Sequence, residues 1–252
     1  MTNNFNAIAG IARPGDLGID AMHLNLHKTF SAPHGGGGPG SGPVVLSGAL
    51  APFAPVPYVV SADDGYALVE SAEASDASPY GRMKGFHGQF GVFVRTLSYM
   101  MSMGADGLAQ AASDAVLSAN YILAGLSDDL TLSYEGPCMH EVLFDDRFLA
   151  ETEVTTLDFA KAMIDEGVHP MTMYFPLVVH GALLMEPTET ESLASLDQYI
   201  GMVKSLARRA KQGEVAAFKE APRLAPRRRL DETTAARNPV LRWLPGDKAA
   251  AE

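Results

Sequence analysis

The chain has 252 residues, 47% hydrophobic and 19% charged, a balance that suits a folded globular protein with a sizeable core rather than a disordered one. Its net charge of −11 argues against nucleic acid as the main partner, even though Arg223, Arg227, Arg228, Arg229, Arg237 and Arg242 gather near the end. A lone cysteine, Cys138, excludes an internal disulfide and fits a reducing, cytoplasmic setting, and the sequence shows neither a secretory signal pattern nor an apolar run of membrane-spanning length.

Taken in chain order, residues 19–26 partly alternate and predict a strand that ends at Lys28. A glycine-dense loop follows (34–43), and then a short apolar strand at 43–47. Pro52, Pro55 and Pro57 require an extended connection, and the acidic, small-residue stretch 61–79 predicts an exposed, mobile excursion. Residues 91–103 and 106–126 carry apolar positions at helical spacing, with Gly104 and Gly107 between them. Strands are expected at 130–134 and 140–144, flanking the Gly136–Pro137 turn. A helix is expected over 156–166, capped by Thr155 or Thr156 and stopped by Gly167. Strands at 171–175 and 182–185 precede the clearest helix, 192–211. The proline- and arginine-rich remainder reads as an extended tail. Short strands alternating with helices indicate an α/β fold.

Lys28 is the first lysine of the chain and Lys84 the next. An isolated amine on an apolar segment, followed at once by a loop without side chains, suits an enzyme that holds an aldehyde cofactor such as pyridoxal 5'-phosphate. Four alternatives are weaker. The loop has no Gly-Lys-Ser/Thr ending, so it is not a P-loop, and it precedes a strand rather than opening a helix, so it is not a Rossmann fingerprint. His23, His27 and His34 lack a carboxylate or cysteine at ligand spacing, so no metal site is expected. Cys138-Met139-His140-Glu141 could imitate a thiol–imidazole pair, but no catalytic dyad is expected there.

The run His-Leu-Asn-Leu-His-Lys-Thr-Phe-Ser-Ala-Pro-His-Gly-Gly-Gly-Gly-Pro-Gly-Ser-Gly-Pro (23–43) closely resembles the cofactor-lysine segment of glycine decarboxylase, the P-protein of the glycine cleavage system. The resemblance continues in Asn6-Ala-Ile, Arg13-Pro-Gly-Asp, Gly136-Pro-Cys-Met-His-Glu, Tyr174-Phe-Pro, Glu186-Pro-Thr-Glu-Thr-Glu, Arg228-Arg-Leu-Asp-Glu and Ala236-Arg-Asn-Pro-Val-Leu-Arg-Trp. It thus covers nearly the whole chain, and the form it resembles is the second, lysine-bearing subunit of the two-chain enzyme. In the family an Asp-Gly-Ala-Asn segment precedes the Asn-Ala-Ile run, and its Asp is expected to pair with the pyridine nitrogen. Here that position falls at Met1, so the chain is expected to be the C-terminal half of that subunit.

The resemblance implies a fold-type I pyridoxal phosphate-dependent transferase-like α/β fold. Residues 1–60 would end the cofactor-binding large domain, 61–85 would connect, 86–220 would form the small C-terminal domain and 221–252 the tail. It implies that Lys28 carries the cofactor, with His27, Thr29, His34, Gly35, Gly36, Gly37 and Gly38 around it. The implied reaction is decarboxylation of glycine with transfer of the aminomethyl group to the lipoyl arm of the H-protein. The implied partners are the first P-protein subunit and the H-protein, in a hetero-oligomer. Arg95 and Arg229 are candidates for the glycine carboxylate. The alternative is a non-catalytic remnant or assembly subunit that docks on P-protein partners. A different pyridoxal phosphate enzyme, an aminotransferase or desulfurase, is the third reading.

Overall fold

Short strands and longer helices alternate through residues 4–34 and 40–242, the residues described by the computed structural model. They form two compact units. One contains the residues up to Leu123 together with Pro137–Val142 and Glu186–Leu193. The other contains Ala124–Gly136, Leu143–Met185 and the residues from Ala194 on. Residues 61–123 therefore cluster with the first sixty, whereas the sequence pattern places a boundary at 61–85.

In the first unit, β1 (Ala21–His23) and β2 (Val44–Leu46) pair antiparallel, with His23 opposite Val44. Two further backbone bonds, Leu24 N–H to Pro43 O and Leu26 N–H to Ser41 O, both 3.0 Å, extend this ladder toward the loop. The approach requires Gly42, because a β-carbon there would collide with the Leu24 carbonyl and the His23 ring. Beyond the ladder the chain makes a single helical turn, α1 (Leu26–Thr29), rather than continuing as a strand up to Lys28. Burial explains the turn. It folds Leu26 inward, where Leu26, Phe30 and Ala32 pack with Val92 and Tyr99.

The stretch expected to be a mobile excursion contains a hairpin instead. β3 (Tyr58–Ala62) pairs with β4 (Gly65–Val69), with Asp63 and Asp64 in the turn. Asp-Asp-Gly supplies the turn, and Val59, Val60, Tyr66 and Leu68 supply β-prone side chains. Its exposure agrees with the sequence reading. The helical run α2 (Phe90–Leu126) is broken at Gly104, whose φ of 65° and ψ of −177° lie in a region essentially reserved for glycine. The two expected helices are thus present on either side of it.

The second unit has a four-stranded sheet in the order β5 (Thr131–Leu132), β6 (Val142–Asp145), β8 (Leu183–Met185), β7 (Thr172–Met173). Its core collects Phe144, Phe159, Met163, Leu183, Met185, Val203, Leu206 and Phe218, all at most 2% exposed. Helix α3 (Thr156–Asp165) is capped by Thr155, one of the two threonines expected for that role. Asp158 completes a capping box there, and the Thr156 hydroxyl donates to Gly181 O at 3.0 Å. Helix α4 (Leu193–Lys211) buries the stripe Leu196, Val203, Leu206, Ala207 and Ala210. Phe159 lies between Phe148 (5.5 Å, edge-on) and Phe218 (6.2 Å, stacked) of α5 (Val215–Glu220). The tail is not wholly extended. Its Arg223 and Leu224 N–H groups cap Asp165, and Glu232–Arg237 forms a short helix, α6.

Candidate active site

Lys28 stands exposed on α1, bordered by imidazoles. His27 and His34 meet edge to face, with ring centroids 4.4 Å apart, and His23 Nε2 hydrogen-bonds Asn25 Oδ1 at 2.7 Å. The loop returns so close that a β-carbon at Gly40 would lie 3.1 Å from His27 Cε1. His27 Nδ1 is buried without a hydrogen-bond partner. Burial pushes the His27 imidazole below its ordinary value, and His34, Lys28 and His23 push it the same way, so its neutral form is favoured. Gly35, Gly36, Gly37 and Gly38 lie outside the described residues.

Thr29 faces into the chain. Its Oγ1 accepts from Phe5 N–H (2.8 Å) and donates to Asn4 Oδ1 (3.2 Å). Asn4 Nδ2 in turn donates to Glu186 Oε1 at 2.6 Å, and Asn6 Nδ2 to the same oxygen at 3.3 Å. Both asparagines are buried, so Glu186 satisfies amides that would otherwise be stranded. A continuous hydrogen-bonded chain therefore braces the residue next to Lys28 against the carboxylate of Glu186. His140 Nε2 lies 3.8 Å from that carboxylate and 3.9 Å from Glu141 Oε1. Burial pushes the Glu141 carboxyl up, while His140 opposes the rise, Glu186 adds to it and Lys28 opposes it.

Asn6, His140, Glu141 and Glu186 lie in motif-bearing segments of the sequence but carry no site role in the sequence pattern. The signal available was that three separated, motif-bearing segments each carry buried-type polar residues beside apolar ones. Cys138 is no nucleophile here: burial raises its thiol, and its backbone is held by both ends of the Asn120 amide, at 3.0 and 2.7 Å. Of the two arginine candidates, Arg95 is exposed on α2. Arg229 is committed elsewhere, with Nη1 2.8 Å from Asp158 Oδ1 and further bonds to the Ala221 and Phe218 carbonyls.

This arrangement fits pyridoxal phosphate. It offers an accessible primary amine, a neutral imidazole with an orphaned buried nitrogen beside it, and a backbone loop kept close by Gly40 and Gly42.

Comparison with known proteins agrees. Solved structures with the same fold include glycine decarboxylase (P-protein) of the glycine cleavage system in inhibitor-bound form. That structure has a TM-score of 0.66 at 17% identity, over 81% of this chain and 47% of that one. The cysteine desulfurase of Thermococcus onnurineus gives 0.55 at 15% identity, over 77% and 48%. The fold class is that of the fold-type I pyridoxal phosphate-dependent enzymes. Residues 111–226 match the family model for the C-terminal domain of glycine dehydrogenase. The chain is 66% identical to the probable glycine dehydrogenase (decarboxylating) subunit 2 of Caulobacter vibrioides, over 96% of its own length and 47% of that protein's. It is 48% identical to the Kosmotoga olearia protein of the same description, over 97% and 50%. Within its fold class the chain is similar to glycine dehydrogenase (decarboxylating) subunit 2 proteins, and it spans about half the length of these relatives. Among the described residues no helix is long and apolar enough to cross a membrane.

Proposed function

We propose that this chain supplies the lysine-bearing part of a glycine dehydrogenase (decarboxylating), which releases the glycine carboxylate as CO2 and passes the aminomethyl group to the lipoyl arm of an H-protein. The observation that carries this reading is the exposed Lys28 amine on a turn braced through Thr29, Asn4 and Glu186, with His23, His27 and His34 around it. Lys28 Nζ would hold pyridoxal phosphate at its aldehyde carbon. Bound there, the cofactor supplies a sink for the electron pair left behind when CO2 departs.

The chain's own residues do the rest. Lys28 Nζ, when not holding the cofactor, carries a proton to or from the substrate carbon. His27, kept neutral, offers Nδ1 as a hydrogen-bonding group. The Thr29–Asn4–Glu186 chain keeps the turn from rotating the amine away. Gly35, Gly36, Gly37 and Gly38 would approach the cofactor with backbone alone. The partners are a first P-protein subunit and the lipoyl-bearing H-protein.

The test is release of labelled CO2 from carboxyl-labelled glycine by the full assembly: this chain, the remaining length of subunit 2 found in its relatives, subunit 1 and H-protein. Lys28→Ala should lower the rate by roughly 10³-fold or more. An undiminished rate in that variant would refute the assignment. A silent native mixture whose components demonstrably associate would favour the assembly-subunit reading instead.

A further inference from the structure

We propose that His140, Glu141 and Glu186 form a binding site for a divalent cation of the zinc class, distinct from the cofactor lysine. One ligand atom from each residue, Nε2 of His140 and a carboxylate oxygen of each glutamate, lies within 4.8 Å of the other two. With the nitrogen 3.8 and 3.9 Å from the two oxygens, the point equidistant from all three atoms lies roughly 2.1–2.5 Å from each, the range in which imidazole nitrogen and carboxylate oxygen bind divalent cations. One nitrogen and two oxygens suit borderline metals such as Zn²⁺ better than Mg²⁺ or Ca²⁺, which favour oxygen alone.

The histidine supplies a second observation. Its side chain is only 8% exposed, and neither ring nitrogen has a hydrogen-bond partner, although Nε2 faces both carboxylates. An imidazolium serving simply as counter-ion would draw a carboxylate to about 2.8 Å, because charge-assisted hydrogen bonds are short. The observed 3.8 and 3.9 Å leave room for an ion between the three groups instead. Asn4 and Asn6 both donate to Glu186 Oε1 and fix the orientation of that carboxylate. Three protein ligands leave coordination positions open to water or to an incoming oxygen or sulfur donor.

The experiment uses the full chain without pyridoxal phosphate, which itself binds metals, and Co²⁺ as the spectroscopic probe. One equivalent should bind with ligand-field bands of a nitrogen- and oxygen-coordinated ion, and Zn²⁺ should displace it. His140→Asn and Glu141→Gln should each weaken binding about 10–100-fold, whereas His27→Asn, in the competing imidazole cluster, should leave it unchanged. Hyperfine-shifted His140 ring protons in the Co²⁺-loaded native chain give the same answer without any substitution, should a variant fail to fold. Substoichiometric binding, binding indifferent to His140 and Glu141, or an unshifted His140 ring would overturn the proposal. None of these outcomes bears on whether Lys28 takes the cofactor, which is read separately by borohydride reduction.

Discussion

Asp158 keeps its charge although its side chain is only 3% exposed. Burial alone would raise its carboxyl. Hydrogen bonds from Lys219 (2.6 Å), from the Thr155 backbone and hydroxyl, and from Arg229 (2.8 Å) more than offset this and hold it at about 2. A carboxylate depressed from 3.8 contributes stability that is complete above pH 4 and lost as pH falls from about 4 toward 2. Asp158→Asn should therefore cost about 2 kcal/mol at neutral pH, since its cationic partners stay partly solvated. In urea titrations the gap between variant and native protein should close below pH 3; a gap independent of pH would contradict this origin. His27 shifts the opposite way to a histidine that has gained an acidic partner: its neutral form is favoured. Its ring resonances should titrate below the usual 6.5, and a midpoint at or above that value would contradict the burial described. At this scale the grouping of His27 and His34 beside Lys28 was legible because unusual residue types were crowded into one short segment. Glu186 and His140 were not, because what makes them special is proximity between distant parts of the chain, Glu186 to His140 and Glu186 to Asn4.

At the scale of elements, local chemistry was legible wherever it decided the outcome. The threonines at 155 and 156 foretold the start of α3, and the helical spacing over 192–211 foretold α4. Gly104 separated two helices because its backbone adopts a conformation that side chains resist. The turn at Lys28 was misread as a strand end, since burial of Leu26 and Phe30 against Val92 and Tyr99 is a tertiary effect that no periodicity in four residues can announce. The β3–β4 hairpin was hidden by the acidic composition of its turn. The β1–β2 ladder carries the element-scale prediction. Gly42→Ala places a β-carbon against the Leu24 carbonyl, so it should loosen the ladder and cost about 1–3 kcal/mol. Amide exchange of Leu24 and Leu26 should accelerate well before that of α4; unchanged protection at these two positions would show that the close approach is not needed.

Across the whole molecule, each of the two units has its own logic. The second is a small sheet with a tightly packed core of phenylalanines and aliphatics, strapped by a tail whose Arg229 is anchored to Asp158. The first carries the lysine turn and a buried polar network, together with many exposed apolar residues, among them Val44, Val45, Phe90 and Met101. The fold class was legible as α/β from alternation alone. Its assignment to the pyridoxal phosphate enzymes rested on the lysine–glycine segment and its resemblance. Under the proposed function, activity would belong to an assembly of which this chain is one part, so the decisive observation is made on that assembly. The assembly, loaded with pyridoxal phosphate, is reduced with borohydride, digested, and its peptides sequenced by mass spectrometry. The account predicts a pyridoxyl adduct on the peptide bearing Lys28 and none elsewhere in this chain; an assembly that decarboxylates glycine while its adduct sits on Lys84 or any other lysine would contradict it.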